Sequence, residues 1–117
     1  MNKIYDYLIK KGKKIKKIPK KYKKKKLKNC LTKIWIFTYY KNKKIFFIGY
    51  SKSNIINGII YLIKKDYSNK TPYEIINKKK NFIKKINLKK YLTINRYFGI
   101  LNIIKYIKNF AFKLIKK

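Results

Sequence analysis

Leu31 to Ser51 reads LTKIWIFTYYKNKKIFFIGYS, two runs of β-branched and aromatic residues separated by the polar break around Asn42. Runs of this composition on either side of a short polar break predict two strands joined as a hairpin. Side chains alternate across a strand, so Trp35, Phe37 and Tyr39 share one face and Ile34, Ile36 and Thr38 the other. Both faces are apolar, which requires helices on at least one side of the sheet. Trp35, Phe37, Phe46 and Phe47 are expected to pack in the core. Tyr39 and Tyr40, near the turn, are open to a base-stacking role as well.

Downstream, Ser53 to Lys65 is SNIINGIIYLIKK. Asn57-Gly58 between apolar flanks favours a tight hairpin turn, a short helix being the competing reading, and the segment looks like an insertion at about residues 53–65. Thr71-Pro72-Tyr73-Glu74 then has the form of a capping box with Pro at the first helical position, where its missing N–H costs nothing. Ile75, Ile76, Phe82, Ile83 and Ile86 continue at helical spacing, with lysines between them. LKKYLTI (88–94) reads as a third strand and NRYFG (95–99) as a turn. Ile100, Ile103, Ile104 and Ile107 form a second amphipathic helix, which Asn109 ends before FAFKLI (110–115), a last short strand. The order strand, strand, helix, strand, helix, strand predicts an α/β domain, with a small mixed β-sheet packed against two main helices.

Upstream lies a short apolar-periodic piece (Ile4, Tyr7, Leu8), then 13 lysines between Lys10 and Lys28, interrupted by Gly12 and Pro19. A like-charge block of this density repels itself, so residues 1–28 are expected to be an extended basic N-terminal arm preceding a single domain at 29–117.

With 35 Lys and Arg against 3 Asp and Glu, the net charge is +32 over 117 residues. Much of the Lys and Ile content reflects a coding sequence drifting toward A and T, but the sign imbalance survives that discount. It calls for a polyanionic partner, because each lysine placed on a phosphate releases condensed counterion. The chain contains a single cysteine and no histidine. A disulfide framework and an ordinary zinc site are therefore excluded, and Cys30 is expected to serve as a small buried hydrophobe in a reducing interior. The three carboxylates, Asp6, Asp66 and Glu74, are scattered, so no general acid–base pair or two-metal site is expected: no enzyme and no cofactor. The longest uncharged stretch, the eleven residues Ser53 to Ile63, falls short of a membrane span. The N-terminus has neither the composition of an organellar presequence nor a secretory signal's apolar core.

The element order, the basic arm and Lys70-Thr71-Pro72-Tyr73 together resemble the eleventh ribosomal protein family of the small subunit. In it a basic tail leads into a hairpin, a Thr-Pro-Phe/Tyr signature opens the main helix, and a Gly-containing basic turn precedes the second helix. Here the corresponding pieces are Lys10 to Lys28, Thr32 to Ser51, Lys70 to Tyr73, Lys89 to Ile94 and Asn95 to Gly99. The resemblance implies a structural constituent of the small ribosomal subunit in translation, a ribonucleoprotein component on the platform near the messenger exit. Its partners would be ribosomal RNA and neighbouring small-subunit proteins, with no small-molecule substrate, no membrane and no homo-oligomer. Together with the A/T drift it implies a mitochondrial ribosome, with another organelle or an AT-rich bacterium as alternatives.

On that reading the RNA-binding residues are Lys16, Lys17, Lys20, Lys21, Lys23, Lys24, Lys25, Lys26, Lys28, Thr32, Lys41, Lys43, Lys52, Asn69, Lys70, Thr71, Arg96 and Gly99. Most would hold phosphate and sugar, and Arg96 could take a phosphate bidentately. The N-terminus of the helix opened by Thr71 would face RNA. Alternatives are another basic ribosomal or nucleic-acid-compacting protein and, less favoured, a cationic membrane-surface protein.

Overall fold

The computed structural model describes residues 3–15, 34–78 and 92–116. Ile34–Lys41 (β1) and Lys44–Ser51 (β2) form the expected antiparallel hairpin, in register from Ile34↔Ser51 to Lys41↔Lys44. The link is a two-residue turn in which Asn42 (φ 53°) and Lys43 (φ 64°) are both left-handed. This is the turn whose twist matches that of the flanking strands, and asparagine tolerates it well. The alternation is as expected, with Ile34, Ile36, Thr38, Ile45 and Phe47 buried, but of the four aromatics expected in the core only Phe47 is there: Trp35, Phe37 and Phe46 are half-buried on the outer face, where no helix covers them among the described residues, and Tyr39 and Tyr40 are exposed. On the outer face Tyr39 stacks across the hairpin on Phe46, with ring centroids 5.4 Å apart.

Among the described residues the sheet has two strands. Asn54–Tyr67 (α2) is a helix, although Asn57-Gly58 suggested a turn. Ser53 caps it by accepting from the Ile56 N–H at 3.3 Å. Ile56, Ile59, Ile60 and Ile63 are all fully buried at spacings of three, four and seven. Gly58 faces Lys3–Gly12 (α1), whose Leu8 carbonyl lies where a side chain at 58 would begin. Gly12 answers it, set just as closely against the Asn54 carbonyl. The glycines let two helix backbones touch, which is a packing use of glycine and not a turn. The expected extended arm thus begins as a packed helix, and the remainder, 16–28, lies outside the described residues. On its other side α2 rests against β2, where Gly49 admits the Ile60 side chain.

The capping box at Thr71 is present in both directions. The Glu74 N–H donates to Thr71 Oγ1 at 3.2 Å, and the Thr71 N–H donates to Glu74 Oε1 at 3.1 Å. The helix it opens, Pro72–Asn77 (α3), has six residues and ends at Lys78. The continuation expected through Phe82, Ile83 and Ile86 falls outside the described residues. Between α2 and α3 the chain clips onto the start of β2: the Ile45 N–H donates to the Lys70 carbonyl at 2.7 Å, and the Asn69 N–H donates to the Ile45 carbonyl at 2.8 Å.

Ile94–Lys116 (α4) replaces three expected elements with one 23-residue helix. Thr93, assigned to a third strand, instead starts it, its Oγ1 accepting from the Arg96 N–H at 3.3 Å; residues 88–91 of that strand lie outside the described residues. The NRYFG segment is helical, with Gly99 buried inside it. FAFKLI is helical too: Ile100, Ile103, Ile104, Ile107 and Ala111 are buried at helical spacing, and Asn109 sits exposed on the outer side, where it interrupts nothing. Lys108 Nζ donates to the Lys78 carbonyl at 2.9 Å, tying α4 to the end of α3. The result is a small α/β fold, a two-stranded antiparallel sheet backed by several helices, in place of the mixed four-stranded sheet.

Candidate functional site

The C-terminal half of α2 and the loop after it enclose a cleft of about 470 Å³ lined by Tyr61, Lys64, Lys65, Ser68, Asn69 and Lys70. Helical spacing places Tyr61, Lys64 and Lys65 on neighbouring turns, and left-handed Asn69 (φ 62°) swings Lys70 back toward them. Lys11 at the end of α1 and Lys14 in the turn after it reach over the Tyr61 ring, their Nζ atoms 5.5 and 5.3 Å from its centroid. Such placements are worth about 0.5–1 kcal/mol each at exposed sites and hold the ammonium groups in place. The Ser68 hydroxyl accepts from the Phe47 N–H at 3.3 Å. A lysine-lined cleft of this kind can hold an anion, and the six lining residues include neither a carboxylate nor a cysteine.

Of the residues expected to bind RNA, Asn69 and Lys70 line this cleft and Thr71 adjoins it. Lys41 and Lys43 are exposed at the hairpin turn, while Lys52 is exposed at the opposite end of β2. Arg96 lies in the first turn of α4, and Gly99 is buried in that helix, so the two do not form a basic turn. Lys16, Lys17, Lys20, Lys21, Lys23, Lys24, Lys25, Lys26, Lys28 and Thr32 fall outside the described residues, as does Cys30. Glu74, on the fully exposed cap, is held below the usual carboxylate range, first by the Thr71 N–H, then by the Thr71 hydroxyl, with Lys70 and Lys44 adding to it. Among the described residues no three metal-ligating side chains cluster, and no helix is long and apolar enough to cross a membrane.

Comparison with known proteins identifies the class. The backbone resembles the solution structure of a hypothetical protein from Thermus thermophilus, with a TM-score of 0.78 over 100% of this chain and 89% of the other. At 12% identity that likeness concerns the fold alone. Residues 1–111 match the family described as SufE, the Fe-S metabolism associated domain, and the chain belongs to that family. It is 35% identical over 117 residues to the cysteine desulfuration protein SufE of Wigglesworthia glossinidia brevipalpis, covering 97% of this chain and 81% of that protein. It is 30% identical to the cysteine desulfuration protein SufE of Plasmodium falciparum, covering 90% of this chain but 45% of that one. An uncharacterized SufE-like protein of Synechocystis is 29% identical over 91 residues, 76% of this chain and 57% of its own length.

The family match overturns the ribosomal assignment, together with its ribosomal RNA and ribosomal protein partners and the alternatives kept beside it. It also overturns the expectation of no enzyme, with no part in enzymatic chemistry, since these relatives are named for cysteine desulfuration. The misreading has a physical origin. A Thr-Pro-x-Glu capping box specifies a helix start in any protein, and lysine density specifies an anionic partner without naming it. In sequence Cys30 lies between Lys28-Asn29 and Leu31-Thr32-Lys33, and cationic neighbours are more usual for reactive thiols than for structural ones.

Proposed function

We propose that this protein takes part in cysteine desulfuration for Fe-S metabolism, as an acceptor that carries sulfane sulfur on Cys30. The observation that carries the reading is the family match over residues 1–111, which includes the only thiol in the chain. A sulfur carrier needs a group that bonds sulfur reversibly, and cysteine is the side chain suited to that exchange. The thiolate of Cys30 attacks the terminal sulfur of a persulfide on a donor, the donor's S–S bond breaks, and the donor leaves as a thiolate while Cys30 becomes the persulfide. The donor is a cysteine desulfurase, which performs the C–S cleavage that a chain with no histidine and three scattered carboxylates is poorly equipped to perform alone. Lysines 26, 28 and 33 flank Cys30 in sequence, and cationic neighbours favour the nucleophilic thiolate.

The test is to incubate the chain with a cysteine desulfurase and L-cysteine and to weigh it by intact-mass spectrometry. The wild type is expected to gain one or more sulfur atoms removable by reductant, and Cys30→Ser none. Equal stimulation of sulfur release by wild type and Cys30→Ser would refute the carrier role.

A further inference from the structure

We propose that the Tyr61 cleft is a docking site for an acidic peptide segment of the protein that supplies sulfur, an inference that rests on the sulfur-carrier reading. Lys64, Lys65 and Lys70 line the cleft, and Lys11 and Lys14, at the end of α1 and in the turn after it, stand over the Tyr61 ring that also lines it, so five lysines gather on one surface. Two carboxylates stand near these lysines, Glu74 on its exposed cap, which feels Lys70, and Asp66, next to Lys65 in α2, against five ammonium groups.

The chemistry of the lining chooses a carboxylate-bearing peptide over a compact phosphate. Phosphate sites in loops use converging backbone N–H groups. Here those donors are already engaged: the Ser68 N–H donates to the Lys64 carbonyl at 2.9 Å, the Asn69 N–H to the Ile45 carbonyl at 2.8 Å, and the Lys70 N–H leans on the same oxygen at 3.4 Å. What remains is a set of separated ammonium groups on flexible stems about a half-buried tyrosine. Such a surface suits several carboxylates spaced along a chain, with aliphatic stems lying on the ring.

The Ser68 to Lys70 side of the cleft lies beside Ile45, at the turn end of the hairpin, while Lys11 and Lys14 flank Gly12, which packs on Asn54 at the start of α2, so the basic surface runs along α2. A partner gripped along it is steered and held by charge, so the site should govern affinity and encounter rate and leave the sulfur transfer step alone.

The probe is hexaglutamate, titrated into the full chain at about 0.15 M salt, where exposed charges beyond about 8 Å are screened. Isothermal titration of Lys64→Glu/Lys65→Glu is expected to show binding weakened by about tenfold or more, against a change within about threefold for Lys113→Glu/Lys116→Glu, which alters net charge equally. Lys64→Gln/Lys65→Gln serves as the milder pair, with thermal melts to show that each variant folds. Equal weakening by the two reversals would mean diffuse attraction and would overturn the proposal. So would displacement of the peptide by inorganic phosphate at matched charge concentration, or tighter binding of hexauridylate to the same lysines. With a cysteine desulfurase as donor, the Lys64/Lys65 reversal should raise KM and spare kcat. Loading of Cys30 from glutathione persulfide should be unchanged in the same variant. If the wild type fails to load from either donor, the carrier reading falls while the peptide titration still decides the docking site.

Discussion

Asn57 holds Ser51 by both ends of its backbone unit: the Ser51 N–H donates to Asn57 Oδ1, and Asn57 Nδ2 donates to the Ser51 carbonyl, each at 2.7 Å. A side chain on α2 thereby completes β2 as a further strand would, at the point where β2 ends and the chain turns into the helix. Both residues are buried, so the pair also removes two main-chain groups from water at no loss of hydrogen bonding.

Asn57→Ala should therefore destabilise the protein by about 2 kcal/mol, because it leaves a buried donor and a buried acceptor unpaired. Asn57→Asp should do at least as badly, since it keeps the acceptor but turns a lone pair toward the Ser51 carbonyl. Urea melts of the two variants check this; an aspartate variant as stable as wild type would show that the amide donor is not used.

Gly58→Ala sets two effects against each other. Helix propensity alone favours alanine by about 1 kcal/mol. The new methyl, however, would meet the backbone of Leu8, which cannot turn aside as a side chain can. Forcing the helices apart typically costs about 1–3 kcal/mol, so the net outcome is a lower melting temperature. The same substitution at Gly12 should behave alike, because its Cβ would meet the Asn54 carbonyl. A rise in melting temperature in either variant would contradict the close crossing of α1 and α2.

Asn57 and Gly58 also show where sequence reasoning reaches and where it stops. The hairpin was legible because its information is local: Ile34 and Ile36 alternate with Trp35 and Phe37, and Asn42 marks the turn. The capping box was legible for the same reason, with donors and acceptors three residues apart. Asn57-Gly58 was not, because the dipeptide that suits a tight turn also suits a helix whose asparagine reaches a strand and whose glycine meets another helix, and only the distant partners decide. Asn109 and Gly99 misled in the same way, as local breakers overridden by a continuous buried stripe along α4. The lysine-rich cleft was half legible: Asn69 and Lys70 were singled out, whereas Lys64, Lys65, Lys11 and Lys14 joined them only through the folding of α1 on α2. Cys30 is a different case, since one thiol carries no spacing from which to argue and it lies outside the described residues.

The capping box makes stability depend on acid. Glu74 has its folded value depressed by the Thr71 N–H and hydroxyl. Its contribution is present above the ordinary carboxylate range and fades as pH falls through the folded value. Thr71→Ala should cost about 1 kcal/mol near neutral pH. Glu74→Gln retains an acceptor but loses the charge, so its deficit relative to wild type should shrink as the wild-type carboxylate protonates. Melting temperatures of the three proteins from neutral to acid pH test this; parallel curves for wild type and Glu74→Gln would mean that the charge on Glu74 contributes nothing.

Tyr67 offers the opposite sign. Its side chain is fully buried at the end of α2, and its hydroxyl finds no hydrogen-bond partner among the described residues. Burial, and then the neighbouring Asp66 carboxylate, push the phenol upward from its ordinary value of 10.0. A group kept protonated by the fold supports the folded state fully below the unfolded value, and that support is lost as pH rises through the window between the unfolded and the raised folded value. Tyr67→Phe keeps the ring and removes an unpaired polar atom, which should stabilise the protein by about 1 kcal/mol at neutral pH. It should also remove part of the decline in stability that the wild type shows as the solution becomes alkaline. A phenylalanine variant that melts lower than wild type would mean that the hydroxyl is bonded after all.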